Sequence, residues 1–286
     1  MPSSSKTKNN QFFLGLLSIT IFLSIILLIN ILFQFSHYHP PFISKPIVFV
    51  PVTKLPFISQ ISHGSRDINK IALTFDADMT PLMKKEFSDG KIKSLYNQKI
   101  VEILIQKNIP ATIFITGMWA ETYPGIASSL AKNSLFEIAN HSYSHPRFTP
   151  TCSALPSIPL WGKKGEFEKS QAIIKEITGT IPKYFRFPGG CSSDSDIKLA
   201  NKYGLTVVGW DVASGDSYND NPKAIVNTVK TKTQNGSIIL FHFDGGENSP
   251  STSDVLSELI DYLQGKGFTF VTLTDLLFSL VEVESQ

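Results

Sequence analysis

Five clusters of reactive side chains stand out along the sequence. They are Asp76-Ala77-Asp78, His141 with His145, Arg186 with Pro188 and Gly190, Trp210 with Asp211 and Asp216, and Leu240-Phe241-His242. Two carboxylates one residue apart can divide two tasks, one binding a cation and the other serving as a general base. The plainer reading of Asp78 is a cap on the following loop. The four-residue spacing of His141 and His145 predicts two imidazoles on one side of a helical turn, within reach of one metal ion. An isolated pair of that kind reads equally as two polar loop residues. A nearby carboxylate changes this, because two histidines and one aspartate leave coordination positions open for water and substrate.

The remaining clusters supply other functions. His242 is suited to protonate a leaving group, or else simply closes a buried strand. Arg186 would be costly to bury alone, so it requires an acidic partner, and Asp76, Asp211 and Asp216 are the candidates. Gly189 and Gly190 either present backbone N–H groups to a developing oxyanion or make a plain tight turn.

These residues need a scaffold that gathers them. Short apolar runs at 71–75, 112–116, 136–139, 184–186, 205–210, 238–242 and 268–271 read as strands. Helical patterns at 96–107, 167–178, 194–203, 222–233 and 254–266 alternate with them. Asn221-Pro222 offers a cap and a first-turn proline, and Gly204 a stop. The alternation implies an α/β fold around a parallel sheet, doubly wound or closed into a barrel of about seven strands. In such sheets the chemistry gathers at the carboxyl ends of the strands. Of six histidines, His37, His39 and His63 precede this region, whereas His141, His145 and His242 all fall at strand ends. Cys152 and Cys191 follow two of those ends and would pair in a disulfide outside the cytoplasm, or stand as unrelated thiols.

The chain has 286 residues, 26 Lys and Arg against 24 Asp and Glu, and a formal charge of +2, with no basic face to suggest a nucleic-acid partner. Two cysteines exclude a disulfide-built scaffold. Residues 1–11, with Lys6 and Lys8, form a short cytoplasmic tail before an apolar run at 12–35. As helix that run would reach about 36 Å, enough for a hydrocarbon core of about 30 Å, so it is expected to be a single-pass signal anchor. Residues 36–66 hold Pro40, Pro41, Pro46, Pro51 and Pro56 and read as a semi-rigid spacer, part of which could lie along the domain as an extra strand. A catalytic domain is expected over 67–283, on the extracytoplasmic side of the cell membrane.

In this order the motifs resemble the polysaccharide deacetylase family, also called the NodB-homology domain or carbohydrate esterase family 4. Thr74-Phe75-Asp76-Ala77-Asp78 resembles the first motif, with Ala77 where a second aspartate usually stands. The resemblance implies a distorted (β/α) barrel, with Asp76 as base and Asp78, His141 and His145 as ligands of one divalent metal. That metal is zinc by preference, with cobalt, nickel or ferrous iron as substitutes. It further implies Arg186 held by Asp216, Gly189 as oxyanion donor, and His242 as acid. Leu240 would line the acetyl pocket, Trp210 would contact substrate, and Ser217 replaces the tryptophan common in the fourth motif. The implied activity is removal of N-acetyl groups from a glycan containing N-acetylglucosamine, peptidoglycan or chitin-like. The alternatives are an O-acetyl esterase and a catalytically silent carbohydrate-binding protein.

Overall fold

The computed structural model describes residues 59–150, 152, 154–244 and 251–283. The expected anchor at 12–35 and the spacer as far as residue 58 lie outside the described residues. Among the described residues, no helix is long and apolar enough to cross a membrane.

Among the described residues eight strands carry the fold: β1 (Lys70–Ala77), β2 (Ala111–Ile115), β3 (Phe136–Asn140), β4 (Tyr184–Phe185), β5 (Thr206–Val207), β6 (Val212–Ala213), β7 (Ile238–His242) and β8 (Thr269–Phe270). Seven follow the order β5-β4-β3-β2-β1-β7-β6, and β8 pairs with the start of β1. Every strand pair is parallel. The strands at the centre are buried along almost their whole length, as a parallel sheet covered on both sides requires.

Alternation along β1 separates two environments. Ile71, Leu73, Phe75 and Ala77 join the main core beneath the helices, where Phe75 stacks on Phe241 with centroids 5.8 Å apart. Ala72 joins a second cluster with Phe114, Ala139, Leu273 and Leu276 on the concave side. Period-two alternation puts Thr74 and Asp76 on that concave side as well. The register sets Asp76 opposite Phe114 of β2 and His242 of β7. Two functional side chains thus stand side by side at the carboxyl end of the sheet.

The sheet is a curled half-barrel rather than a closed ring, with β5 and β6 as its two edges. The single strand expected at 205–210 is only β5, Thr206–Val207. Beyond it the chain crosses to the opposite edge as β6, so Trp210 lies in the crossing rather than at a strand end. Ile61 bridges Val208 and His63 bridges Ser237, so the segment entering β1 lies along the domain between the two halves of the sheet.

The helices are α1 (Pro81–Ser88), α2 (Gln98–Gln106), α3 (Gly117–Thr122), α4 (Pro124–Lys132), α5 (Gly162–Thr178), α6 (Asp194–Lys202), α7 (Pro222–Lys232), α8 (Thr252–Gly265) and α9 (Leu273–Val283). The start of α1 is fixed by Thr80 accepting from the Met83 N–H at 3.1 Å and by Pro81 in the first turn. Asn221 and Pro222 open α7 as expected, and Ser193 with Asp196 forms a capping box on α6.

Candidate metal centre and active site

Asp78, His141 and His145 converge, their ligand atoms all within 4.8 Å of one another. Oδ1 of Asp78 lies 3.3 Å from Nε2 of His141 and 3.3 Å from Nε2 of His145. That oxygen is buried and has no hydrogen-bond partner. An orphaned carboxylate oxygen facing two imidazole nitrogens is costly unless something positive joins them, so the donor set fits a divalent cation. Nδ1 of His141 lies 2.9 Å from the Arg186 carbonyl, which can only accept. The proton therefore sits on Nδ1 in the neutral ring, and Nε2 keeps its lone pair for a metal.

The His141–His145 segment is not the helical turn its spacing predicts. Ser142 and His145 have φ of 71° and 54°, so the chain folds as an irregular loop. Buried polar groups hold it there. Ser142 N–H donates to Asn140 Oδ1 at 2.8 Å, and His145 N–H to Ser142 Oγ at 3.1 Å. Glu166 of α5, fully buried, accepts from the N–H groups of Tyr143 and Ser144, each at 2.8 Å. It also accepts from Ser144 Oγ at 2.7 Å and from Trp161 Nε1 at 2.8 Å. No periodicity singled out Glu166, which looks in sequence like one more polar residue of an amphipathic helix.

Arg186, also fully buried, meets Oδ1 of Asp76 at 2.6 Å. Its Nη2 reaches Thr74 Oγ1 and the Gly209 carbonyl, each at 3.0 Å, Nε reaches the Val208 carbonyl at 3.4 Å, and Cζ lies 4.0 Å from the Phe114 centroid. The expected pairing of Arg186 with Asp216 does not occur. Asp216 Oδ1 instead lies 2.8 Å from His242 Nδ1, while Oδ2 accepts from the His242 N–H and from Thr252 Oγ1. The curl of the sheet explains the exchange, because Arg186 at the end of β4 meets Asp76 of β1 across the concave face, whereas Asp216 follows β6, the neighbour of β7. Asp211, the third candidate partner, binds Arg66 at 2.8 Å and caps the start of β7 through the Ile238 N–H.

Burial works against a charged His242, yet Asp216, with Asp78 and Asp76 beyond it, outweighs burial and pushes its pKa up to about 10. Burial likewise opposes the Asp78 charge, but His145 and His141 hold its carboxyl well below the usual range. A further carboxylate, Asp244, lies beside them, with Oδ1 accepting from the Asp78 N–H at 3.0 Å. Burial and the Asp78 charge push Asp244 well above the usual carboxylate range. Asp244 stands two residues past His242 and was legible only as a nearby acid, with no motif to mark it.

These groups line a cavity of about 700 Å³, together with Gly189, Trp210 and Leu240. Cys152 and Cys191 are joined in a disulfide with Cα atoms 6.0 Å apart. It ties the loop carrying Leu155 to the turn carrying Gly189, so both lie on one wall. Gly190 has φ of 68°, and a Cβ there would lie 2.7 Å from the Trp210 ring, so glycine is required for that close approach.

The model of the polysaccharide deacetylase family matches residues 63–208. A peptidoglycan-N-acetylglucosamine deacetylase of Bacillus cereus is 30% identical over 247 residues, covering 83% of this chain and 86% of its own length. The chain belongs to the polysaccharide deacetylase family. Among solved structures, a peptidoglycan N-acetylglucosamine deacetylase bound to a benzamide ligand aligns with TM-score 0.64 and 27% identity, covering 76% of this chain and 92% of that one. A family 4 carbohydrate esterase from Streptomyces lividans, in complex with acetate, aligns with TM-score 0.55 and 28% identity over 70% of this chain and 91% of that one. This chain is by class a polysaccharide N-deacetylase. The deacetylase keeps Asp76, Arg186 and His242 around the converging Asp78, His141 and His145, although Asp-Ala-Asp replaces the usual adjacent pair.

Proposed function

We propose that the deacetylase is metal-dependent and removes N-acetyl groups from an N-acetylglucosamine-containing glycan of the cell envelope, with peptidoglycan the favoured substrate. The observation that carries this reading is the convergence of Asp78, His141 and His145 between Asp76 and His242. The names of the relatives supply the glycan. The apolar run at 12–35 supports a membrane-anchored enzyme working outside the cytoplasm.

Bound by Asp78, His141 and His145, a divalent cation, zinc by preference, would supply Lewis acidity to the acetyl carbonyl and to water. Arg186 occupies Oδ1 of Asp76, so Oδ2, 3.4 Å from His141 Nε2, is the oxygen that accepts the proton of the attacking water. His242 is held through Nδ1 by Asp216, which leaves Nε2, 4.0 Å from Asp78 Oδ2, to carry the proton delivered to the departing amine. Gly189 lines the cavity where its N–H would meet the developing oxyanion, and Leu240 would receive the acetyl methyl.

The test is acetate release from N-acetylglucosamine oligomers and from peptidoglycan, with zinc or cobalt added, beside His141→Ala and Asp78→Ala. Metal-dependent release that both variants abolish supports the reading. Release only from O-acetylated glycans identifies an esterase, and tight metal binding with no release identifies a silent carbohydrate binder.

A further inference from the structure

The turn that holds the proposed acid continues directly to the rim of the cavity. Ser214 Oγ donates to Asp216 Oδ1 at 2.9 Å, and Tyr218 N–H donates to the Gly215 carbonyl at 3.2 Å. Gly215 has φ of 87°, and a Cβ built there would lie 3.1 Å from Tyr218 Oη and 3.3 Å from Cζ. The tip of the Tyr218 ring therefore approaches Gly215, whose positive φ itself favours glycine. Yet Tyr218 is 82% exposed and lines the cavity, as does Leu82 of α1, 63% exposed. An exposed tyrosine ring at the cavity rim offers an apolar face and a polar tip on only two rotatable side-chain bonds.

We infer that Tyr218 is a substrate-binding residue whose ring stacks on the apolar C–H face of a pyranose ring next to the one being deacetylated. The inference rests on the glycan reading above. Its consequence is a preference for oligosaccharides over the monosaccharide, because a single sugar reaching the cation site leaves the platform empty. Ser217 offers no ring to that wall, and Tyr218 beside it supplies one.

The experiment compares the full-length chain with Tyr218→Ala and Tyr218→Trp, on N-acetylglucosamine and its β-1,4-linked dimer to pentamer, with metal content and melting temperature as controls on folding. Tyr218→Ala is expected to raise KM for the tetramer about tenfold, with little change in kcat, and Tyr218→Trp to restore it. An unchanged KM, or a loss confined to kcat, overturns the inference. Titration of the unreactive glucosamine tetramer into the same proteins reads the platform without turnover. If the parent chain releases no acetate, the deacetylase reading fails while this titration still decides Tyr218. Weaker binding by Tyr218→Ala supports the platform, and equal binding overturns it.

Discussion

Asp216 Oδ1 and His242 Nδ1 lie 2.8 Å apart, and this contact sets the charge of the proposed acid. Asp216 is itself held below the usual carboxylate range, because the His242 charge and its hydrogen bonds outweigh burial. The pair is thus ionic at neutral pH, with a proton available on His242 Nε2.

Replacing Asp216 by Asn keeps the shape and removes the charge. The raised pKa of about 10 then falls toward the ordinary 6.5, and the alkaline limb of the rate profile moves down with it. A cation on Asp78 cancels part of the same shift, so the parent limb lies below 10 but above that of the variant. Stability follows the same sign. A folded-state pKa above the unfolded value contributes stability that is full below about 6.5 and is lost as pH rises through about 10. Asp216→Asn should therefore destabilise most near pH 6 and least above 10, as read by urea unfolding across that range.

Metal removal should lower the melting temperature, since the orphaned Asp78 oxygen is left buried without a partner. Zinc at about 100 times its dissociation constant should stabilise by about 2.7 kcal/mol, and Asp78→Ala should abolish that increment. Burial lowers the His141 pKa, but Asp76 and Asp78 raise it more, so protons compete with metal near neutrality. The zinc-dependent shift in melting temperature should shrink as pH falls from 8 to about 6.

Glu166→Ala should weaken zinc binding although Glu166 touches no ligand atom, because four donors from the His141–His145 loop and Trp161 lose their acceptor. Losses on the order of 10- to 100-fold are typical of such supporting contacts. Glu166→Gln, which keeps one acceptor oxygen, should recover part of the affinity in competition titrations against a chelating dye.

Arg186→Met leaves Asp76 charged and buried, at a cost of about 3–5 kcal/mol. The double variant with Asp76→Asn removes the unpaired charge and should recover much of that stability without recovering acetate release. Recovery of activity in the double variant would exclude Asp76 as the base.

Reduction of the Cys152–Cys191 bridge, which spans 39 residues, should cost about 3–4 kcal/mol by releasing the chain it closes. Because the bridge borders Gly189 and Leu155, Cys152→Ser with Cys191→Ser should raise KM as well as lower the melting temperature.

Much of the site was legible because strand alternation and strand ends are local properties. Asp76, His141 and His242 each follow a short apolar run, and one register brings Asp76 and His242 side by side. Partner choice was not legible. Arg186 had three acidic candidates in sequence, and only the curl of the sheet brings Asp76 of β1 to it across two intervening strands, while the pairing of β6 with β7 puts Asp216 beside His242. The helical reading of His141 to His145 failed for a related reason. Two residues at positive φ are held there by Asn140 and by Glu166, which lies 21 or more residues downstream of both histidines.

The sequence by itself determined the parallel α/β class, the family motifs and the donor chemistry, because residue type and spacing are written in the chain. The tertiary structure decided which carboxylate each cation meets, that β5 and β6 remain separate edges, and that Cys152 reaches Cys191. It also decided that Tyr218 lines the same cavity as Asp78, His141 and His145. Contacts of that kind depend on distances between segments far apart in sequence, and packing alone fixes those distances.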